Sequence, residues 1–178
     1  MSEFKGKVVI VTGSSSGIGE SIARRLADLG ATVVVNSSSS VEAGEAVAKS
    51  LPNGAIYVRA DISKKEEALN LLDQTIKAFG KLDILVNNAG IAWAVTNNDF
   101  PFNAWSKVMN VNNAGLFTLT QKLLPLLIAS STKDDPARVV NVGSVMGTIP
   151  MAEGTYAYAA SKAAVHHITK FMAAEYAD

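Results

Sequence analysis

The chain has 178 residues, of which 48% are hydrophobic and 18% charged, a composition typical of one globular domain and not of a disordered chain. Sixteen Lys and Arg residues balance sixteen Asp and Glu residues, so the charge favours neither a nucleic-acid partner nor an anionic membrane. Cysteine is absent, which excludes disulfides and thiolate metal sites, and we predict that the protein holds no metal.

Short β-branched runs alternate along the chain with longer amphipathic runs. Strands are predicted over 7–11, 32–36, 55–59, 83–87 and 137–142, and helices over 18–29, 41–51, 64–79, about 102–128 and about 157–176. Strands that are apolar on both faces and separated by helices are typical of a parallel sheet covered on both sides. The right-handed crossover rule then favours a doubly wound, Rossmann-type α/β fold, and we expect residues 1–178 to form a single dinucleotide-binding domain.

The sequence predicts neither a leader peptide nor a membrane span. The apolar run before Thr12 has only four residues and no cleavage pattern follows it, so we do not expect a signal peptide. The most apolar helical stretch, residues 123–129, is too short to cross a bilayer and contains Pro125. We therefore predict a cytoplasmic protein without a membrane partner.

A glycine-rich loop, TGSSSGIG at residues 12–19, stands between the first strand and the first helix. In that context glycines predict a pyrophosphate site, since Gly13 permits a tight turn, Gly17 lets backbone amides approach phosphates and Gly19 lets the helix pack on the sheet. We therefore predict that this loop contacts a dinucleotide through Gly13, Ser14, Ser15, Ser16, Gly17, Ile18 and Gly19.

The end of the second strand bears on the choice of cofactor. Proteins specific for NAD usually place Asp or Glu here, where the carboxylate accepts hydrogen bonds from ribose hydroxyls and repels a 2′-phosphate. This chain has Asn36, Ser37 and Ser38, followed by two more serines. Their amide and hydroxyl groups can donate to a phosphate, although the segment contains no arginine to clamp one. The segment favours NADP, with NAD as the alternative.

Tyr158 and Lys162 stand four residues apart on the last predicted helix, so they share one face. Tyrosine ordinarily titrates near pH ~10, but a neighbouring ammonium and an oxidised nicotinamide both favour the phenolate. That environment would make Tyr158 a workable general acid and base. Tyr156 is six residues from Lys162 and is expected to face elsewhere. A lone pair at this spacing could equally be an exposed surface pair.

Two further features flank this pair. Ser144 follows the fifth strand, and a hydroxyl at the carboxyl end of a parallel strand faces the ligand crevice. His166 and His167 lie on different faces of the last helix without a carboxylate cluster, so we interpret them as structural. Met146 and Met151 are expected in the core or in a pocket wall.

The motifs TGSSSGIG, RADIS, LVNNAG, MNVNNAG, VNVGS and YAASK occur in this order along nearly the whole chain. In order and spacing the chain resembles the classical short-chain dehydrogenase/reductase family, and within it the group similar to 3-oxoacyl-carrier-protein reductases. The resemblance implies transfer of a hydride between NAD(P)(H) and a small-molecule carbonyl or secondary alcohol. The alternative is a dinucleotide-binding regulatory protein or an inactive fragment without turnover.

The resemblance also implies roles for individual residues. Tyr158 would be the acid/base, Lys162 its activator and the anchor of the nicotinamide ribose, and Ser144 the residue that positions the carbonyl. Asn112, rather than Asn110 or Asn113, would kink the long helix and hold a water that links Lys162 to solvent. The implied contacts of the adenosine half are Asp61, Ile62, Asn88, Ala89 and Gly90. Asp61 could instead cap a helix, and Asn87 and Asn88 could instead satisfy turn backbone.

The resemblance further implies a homo-oligomer that assembles through the long helix and the catalytic helix. It also suggests a domain that is incomplete at its C-terminus, because the family's last two strands are lacking after residue 178. The fifth strand is then expected to be an unprotected edge of the sheet.

Overall fold

The strands of the computed structural model lie close to their predicted positions. The structure describes residues 3–151 and 154–176, so residues 1, 2, 152, 153, 177 and 178 of the predicted domain lie outside it. The strands are β1 (Val8–Val11), β2 (Thr32–Ser37), β3 (Ile56–Arg59), β4 (Ile84–Asn87) and β5 (Arg138–Asn141). Each differs from its predicted bounds by one residue at an end or at both ends.

The helices alternate with these strands, as the amphipathic pattern predicts. They are α1 (Gly17–Asp28), α2 (Val41–Ser50), α3 (Lys65–Phe79), α4 (Phe102–Met109), α5 (Leu116–Ser130) and α6 (Tyr156–Tyr176). Short 3₁₀ turns lie at Asn97–Asp99 and Val145–Gly147. Gly80 ends α3 in the left-handed region, with φ of 69°, and its N–H donates to the carbonyl of Ile76.

The strands pair in the order β3-β2-β1-β4-β5, and each of these pairs is parallel. The chain starts in the middle of the sheet, winds outward to β3 and returns to the other side of β1. This is the doubly wound Rossmann-type arrangement, so the predicted fold class is confirmed. The reversal of strand order places a crevice at the carboxyl ends of β1 and β4, where such folds bind their ligands.

Two hydrophobic layers cover the sheet, because successive strand residues point to opposite faces. On one face Val9, Val11, Val33 and Val35 pack against alanines and valines of α1 and α2. On the other face Ile10, Val34 and Leu85 pack against leucines of α3 and α5. Burial on both faces explains why β1 and β2 are continuous β-branched runs without alternation.

The predicted helix over about 102–128 is interrupted. Between α4 and α5, residues Asn110–Gly115 form a π-helical segment. Tertiary contacts account for it: Gly115 lies so close to the carbonyl of Ile62 that a Cβ would stand 2.9 Å from its oxygen, and the buried Asn112 amide bonds the backbone of Ile91. A π segment is an established way of bending a helix at a functional site, and it agrees with the predicted kink at Asn112.

β5 is an edge of the sheet described here, with Val139 and Val140 36% and 47% exposed. This agrees with the unprotected fifth strand that the sequence predicts. Among the residues in the structure, no helix is long and apolar enough to cross a membrane.

Candidate active site and dinucleotide groove

Two adjoining cavities lie at the carboxyl edge of the sheet. The first, about 480 Å³, lies beside the ends of β1, β2 and β3, and the second, about 500 Å³, lies beside β5 and α6. They share Ser16, Asn88, Gly90 and Ile91 as lining residues, so together they form one groove. We call the first the adenosine cavity and the second the reaction cavity, after the roles that the sequence predicts for their residues.

Most of the predicted site residues line this groove. The adenosine cavity contains Gly13, Ser15, Ser16, Asn36, Ser37, Ser38, Asp61, Ile62, Asn88, Ala89 and Gly90. The reaction cavity contains Ser16, Ile18, Gly19, Asn88, Gly90, Ser144, Tyr158 and Lys162. Ser14, Gly17 and Asn112 line neither cavity. The structure therefore brings together residues that the sequence spreads over about 150 positions.

The glycine loop is shaped by close backbone approaches. Gly13 has φ of +63°, and a Cβ there would stand 2.9 Å from the Cα of Ala89. At Gly19 a Cβ would lie 2.3 Å from the carbonyl oxygen of Gly13 and 2.4 Å from the side-chain nitrogen of Asn88. Ser16 precedes α1 without a side-chain capping bond, so the first amides of this helix are available to a phosphate.

Asn88 holds the glycine loop against the end of β4. Its amide nitrogen donates to the carbonyls of Thr12 at 2.9 Å and Gly13 at 3.1 Å. The hydroxyl of Thr12 in turn accepts from the backbone N–H groups of Asn88 and Ala89, each at 3.0 Å. The Asn88 side chain therefore satisfies turn backbone, as the alternative interpretation expects. The residue also lines both cavities.

The polar groups at the end of β2 donate inward. The amide nitrogen of the buried Asn36 donates to the carbonyls of Val58 at 3.1 Å and Ala60 at 3.0 Å. Ser37 bonds the carbonyl of Ser40 and the hydroxyl of Tyr57. The Asn36 amide protons and the Ser37 hydroxyl are therefore already occupied within the protein, and their predicted contact with the cofactor stays a prediction. Of the predicted trio, Ser38 is the exposed member.

Ser14 is likewise turned into the protein. Its hydroxyl donates to the carbonyl of Val11 at 2.6 Å and accepts from the N–H of Asn36 at 3.0 Å. The residue is fully buried and ties the start of the loop to β2. The structure therefore does not place the predicted contact residue Ser14 in the groove, because its hydroxyl links two strands.

Asp61 organises a turn instead of capping a helix, and its predicted contact with the adenosine half stays a prediction. One carboxylate oxygen accepts from the N–H of Ser63 at 3.0 Å and from its hydroxyl at 2.7 Å, which organises the turn before α3. The residue also lines the adenosine cavity with Ala60 and Ile62. Glu67 reaches back to accept from the N–H of Asp61 at 2.8 Å, and this bond lowers the pKa of Glu67.

Tyr158 and Lys162 share a face of α6, as their spacing predicts. The Lys162 ammonium lies 5.7 Å from the centroid of the Tyr158 ring and donates to the carbonyl of Val142 at 2.6 Å. Lys162 is 6% exposed, and among the described residues no carboxylate pairs with it. Burial therefore lowers the pKa of Lys162 from its ordinary value. The spacing thus produces a buried cation beside a phenol, which is not the geometry of an ordinary surface pair.

Asn112 lies behind the groove, fully buried in the π segment. Its Oδ1 accepts from the N–H of Ile91 at 2.8 Å, and its Nδ2 donates to the carbonyl of Ile91 at 3.0 Å and to the hydroxyl of Ser161 at 2.9 Å. Both amide protons are therefore used within the protein. The side chain fastens the loop after β4 to α6. That this segment holds a water linking Lys162 to solvent stays a prediction, and the backbone would have to bind that water.

Ser144 begins the 3₁₀ turn after β5. Its hydroxyl oxygen accepts from the N–H of Met146 at 3.2 Å, which leaves the hydroxyl proton available to another acceptor. The N–H of Ser144 donates to Nε2 of His166 at 3.4 Å. The same ring fills the space where a Cβ of Gly143 would stand, at 2.4 Å from its Nε2. His166 is structural, as predicted, but it supports the residue that carries Ser144.

Several contributors to the site were not found by sequence analysis. Lys107, Ile91 and Val142 line the groove, and Arg59 reaches the rim at Ser38. Arg59 could be placed near the site only from the register of β2 and β3, in which it lies opposite Ser37. That register is known only once the strands are paired. His166 is four residues after Lys162, and this spacing places both residues on one face of α6. The sequence analysis interprets His166 as structural only.

A third cavity, about 380 Å³, adjoins the 3₁₀ turn and the start of α6. Its lining includes Met146, Pro150, Met151, Tyr156 and Ala159. The methionines therefore form a pocket wall, one of the two predicted locations. Tyr156 faces this cavity and stacks edge to face with Phe100, with ring centroids 6.2 Å apart, so it points away from Lys162 as predicted.

The groove fits a nicotinamide dinucleotide. Close-packed glycines leave room for backbone amides at one end. A buried ammonium, which has no carboxylate partner among the described residues, stands at the other end. A Cβ at Gly90, between the two, would approach Asn112 Oδ1 at 3.3 Å and Lys162 Nζ at 3.7 Å. An elongated ligand with a central pyrophosphate and a ribose at each end matches this distribution of donors.

Comparisons with known proteins agree with this geometry. A family model described as short chain dehydrogenase matches residues 7–178. The rhamnolipids biosynthesis 3-oxoacyl-(acyl-carrier-protein) reductase of Pseudomonas aeruginosa is 38% identical over 171 residues, covering 96% of this chain and 67% of that protein. The solved RhlG/NADP active-site complex of the same organism has a TM-score of 0.93 at 39% identity, covering 98% of this chain and 68% of that chain.

A second solved structure is the 3-ketoacyl-(acyl-carrier-protein) reductase of Brucella melitensis complexed with NADH. It has a TM-score of 0.91 at 34% identity and covers 98% of this chain and 72% of that chain. The chain thus spans about two thirds of the length of these relatives.

The fold and the groove define a dinucleotide-binding α/β protein with a tyrosine–lysine pair in its reaction cavity. The chain belongs to the short-chain dehydrogenase family. It is therefore an NAD(P)-dependent oxidoreductase, and the predicted resemblance is confirmed. The comparisons favour the enzyme over the regulatory alternative.

Proposed function

We propose that the protein interconverts a carbonyl and a secondary alcohol with NADP(H), using Tyr158, Lys162 and Ser144. The observation that carries this proposal is the reaction cavity, in which these three residues meet at the end of a groove that begins at the glycine loop. NADP is preferred over NAD because no carboxylate stands at the end of β2. The proposal also draws on relatives whose structures hold NADP or NADH.

In the reduction, a bound nicotinamide dinucleotide supplies the hydride. The Ser144 hydroxyl donates to the substrate carbonyl oxygen, since its own oxygen already accepts from Met146. The Tyr158 hydroxyl gives its proton to that oxygen as negative charge develops there. The Lys162 ammonium stabilises the resulting phenolate and keeps two donors for ribose hydroxyls beyond its bond to Val142.

The remaining parts of the proposal concern the groove and its supports. The backbone of residues 13–19 and the first amides of α1 hold the pyrophosphate, and Asp61, Ile62, Ala89 and Gly90 contact the adenosine half. Asn112 positions Ile91 and α6, and the π segment that it fastens holds the relay water. Residues 1–178 act as one dinucleotide-binding domain.

The experiment replaces Tyr158 by Phe and follows NADPH absorbance with a panel of ketones that includes 3-oxoacyl thioesters. We expect turnover to fall by more than about 100-fold, because only the hydroxyl carries the proton, while NADPH affinity changes less than about threefold. A Phe variant that keeps a tenth of the wild-type rate would show that Tyr158 is not the acid/base. NADPH binding without turnover of any ketone by the wild-type protein would favour the regulatory alternative.

We also propose that the protein is a cytoplasmic homo-oligomer. Large apolar side chains are exposed on α4, α5 and α6, among them Phe102, Phe117 and Phe171, which are 87%, 45% and 67% exposed. Such exposure is typical of faces covered in an assembly. The absence of cysteine is compatible with a reducing compartment. Light scattering after size-exclusion chromatography tests the assembly, and cell fractionation tests the location.

A further inference from the structure

The end of β2 leaves few side-chain donors for a 2′-phosphate. Asn36 donates both amide protons to backbone carbonyls in β3 and just after it, and the Ser37 hydroxyl lies between Ser40 and Tyr57. A phosphate at this position therefore needs another source of positive charge. A preference for NADP that rests only on the absence of an acid would be weak, since a dianion is best held by charge-assisted hydrogen bonds.

Arg59 is the cation that stands at this position. It is the last residue of β3 and opposes Ser37 in the parallel register. Its Nε donates to the carbonyl of Ser38 at 3.1 Å, which places the guanidinium at the rim of the adenosine cavity that Ser38 lines. Within residues 3–151 and 154–176 it makes no ion pair within 4.0 Å. The two terminal nitrogens of the guanidinium therefore remain for a ligand.

The nearest acids do not neutralise this arginine. Glu67 is held by the N–H of Asp61 and by the ammonium of Lys64 at 2.9 Å. Asp61 is occupied on one oxygen by Ser63. The field of Arg59 still contributes to the lowered pKa of Glu67, so the guanidinium is close to this cluster without being bound by it.

We propose that Arg59 binds the 2′-phosphate of NADP(H) and sets the cofactor preference, an inference that rests on the proposed function. The carbonyl of Ser38 fixes one N–H of the planar fork and orients the other donors. Arginine in such a fixed orientation binds phosphate through parallel hydrogen bonds, which a lysine cannot reproduce. The exposed Ser38 hydroxyl adds a donor on the same rim.

The test separates the phosphate from the rest of the cofactor. Binding of adenosine 2′,5′-bisphosphate and adenosine 5′-monophosphate is measured by calorimetry for the wild-type protein and for Arg59→Ala and Arg59→Lys. We expect Arg59→Ala to weaken the bisphosphate by about tenfold to a hundredfold and the monophosphate by less than about twofold. Arg59→Lys keeps the charge but loses the fork, so its loss for the bisphosphate is intermediate.

Two control variants show whether the effect is local. Lys107→Ala removes the cation among the lining residues of the adenosine cavity and so tests the competing candidate, and Arg138→Ala removes an exposed arginine on β5. Neither is expected to change the ratio of the two affinities by more than about twofold. Thermal melting establishes that each variant is folded. Because Arg59 is exposed, we expect Arg59→Lys to keep the melting temperature of the wild-type protein.

The outcomes distinguish this inference from the function beneath it. Unchanged affinity of Arg59→Ala for the bisphosphate overturns the inference alone, as does a loss that appears with Lys107→Ala instead. A wild-type protein that binds neither nucleotide overturns the proposed function and the inference with it. A bisphosphate preference that Arg59→Ala abolishes supports both.

Discussion

Lys162 is a buried cation whose ammonium donates to one backbone carbonyl and has no carboxylate partner in the described chain. Such a group destabilises the fold unless a ligand compensates it, because burial removes its hydration. Its retention in the reaction cavity is understandable if the function depends on the charge. The charge of Lys162 therefore lowers the stability of the fold while it supports activity.

We expect Lys162→Met to stabilise the protein without cofactor by about 1–2 kcal/mol at pH 7 while abolishing turnover. Burial lowers the pKa of Lys162 below the 10.5 of an unperturbed lysine, so the unfolded state binds more protons between the two values and stability rises with pH there. Below the pKa that Lys162 has in the folded protein, the lysine is charged in both states and the full cost of burying its charge applies. The stability gained by Lys162→Met should therefore shrink as pH rises toward 10.5.

Urea denaturation at pH 7 and pH 9.5 measures this difference. Lys170→Met is the matched control, since Lys170 is exposed on the same helix. Its stability should change by less than about 0.5 kcal/mol. A Lys162→Met protein less stable than wild type at both pH values would contradict the interpretation of Lys162 as an uncompensated charge.

The end of β2 gives a second residue-scale prediction. Aspartate at position 38 would face the rim of the adenosine cavity and repel a 2′-phosphate, so Ser38→Asp should shift the preference from NADP(H) toward NAD(H) by at least about tenfold. Asn36→Asp should instead lower stability by about 2–3 kcal/mol, because a carboxylate would face the carbonyls of Val58 and Ala60.

Fluorescence titration with NADPH and NADH measures the preference, and thermal melting measures the stability. Sequence analysis places a cofactor-selecting carboxylate at the end of β2, where Asn36, Ser37 and Ser38 stand. A folded Asn36→Asp protein of unchanged melting temperature that prefers NADH would contradict the assignment of this role to position 38.

At the scale of elements, the π segment is a joint between three parts of the structure. Asn112 makes three hydrogen bonds that tie it to the loop after β4 and to α6, and the neighbouring Asn113 makes one bond to the carbonyl of Ser161. Both side chains are buried. The two asparagines therefore allow a comparison within one segment.

We expect Asn112→Ala to destabilise the protein by about 2–4 kcal/mol, because it leaves the buried N–H and carbonyl of Ile91 without their partner. Asn113→Ala should lose less, about 1 kcal/mol, since its Oδ1 already lacks a hydrogen-bond partner. Urea denaturation of both variants provides the measurement. Equal losses would show that the Ile91 contacts do not determine the stability of this joint.

The elements that sequence analysis predicted well are those with local causes. β1 and β2 are β-branched runs, and Tyr158 and Lys162 meet because four residues make about one helical turn. The break in the long helix was expected only from the family resemblance, because the contacts of Gly115 with Ile62 and of Asn112 with Ile91 join residues that are distant along the chain. The general location of the site was predictable on the same basis, from motifs at the carboxyl ends of strands.

The orientation of Asn36 and the position of Arg59 have nonlocal causes as well. Asn36 points inward because carbonyls 22 and 24 residues later accept its protons, and no spacing within the motif carries that information. Arg59 was overlooked because its relation to Ser38 exists only after β2 and β3 pair. Sequence motifs therefore located the cofactor groove, while the direction of each side chain depended on the assembled sheet.

At the scale of the whole molecule, β5 is an exposed edge strand of the sheet. It pairs with β4 along one edge, and its valines are exposed on both of its faces. Val140 contributes to an apolar groove of about 860 Å³ with Ile18, Ile22 and Val86, and Val139 contributes to another beside α5 and α6. Unpaired backbone groups beside exposed apolar surface favour association with another strand.

We therefore expect β5 to add a second mode of self-association to the assembly proposed for the helices, and Val140→Lys to increase the fraction of the smaller species at a given concentration by at least about twofold. A lysine there places a charge in the apolar groove that a second chain would have to bury, at a cost of several kcal/mol unless it is paired. Ile76→Lys is the matched control, because Ile76 is 44% exposed on α3, on the opposite face of the sheet from this groove. Sedimentation velocity over a concentration series provides the measurement. Equal effects of the two lysines would mean that added charge alone governs solubility, and no effect of Val140→Lys would place the association on the helices instead.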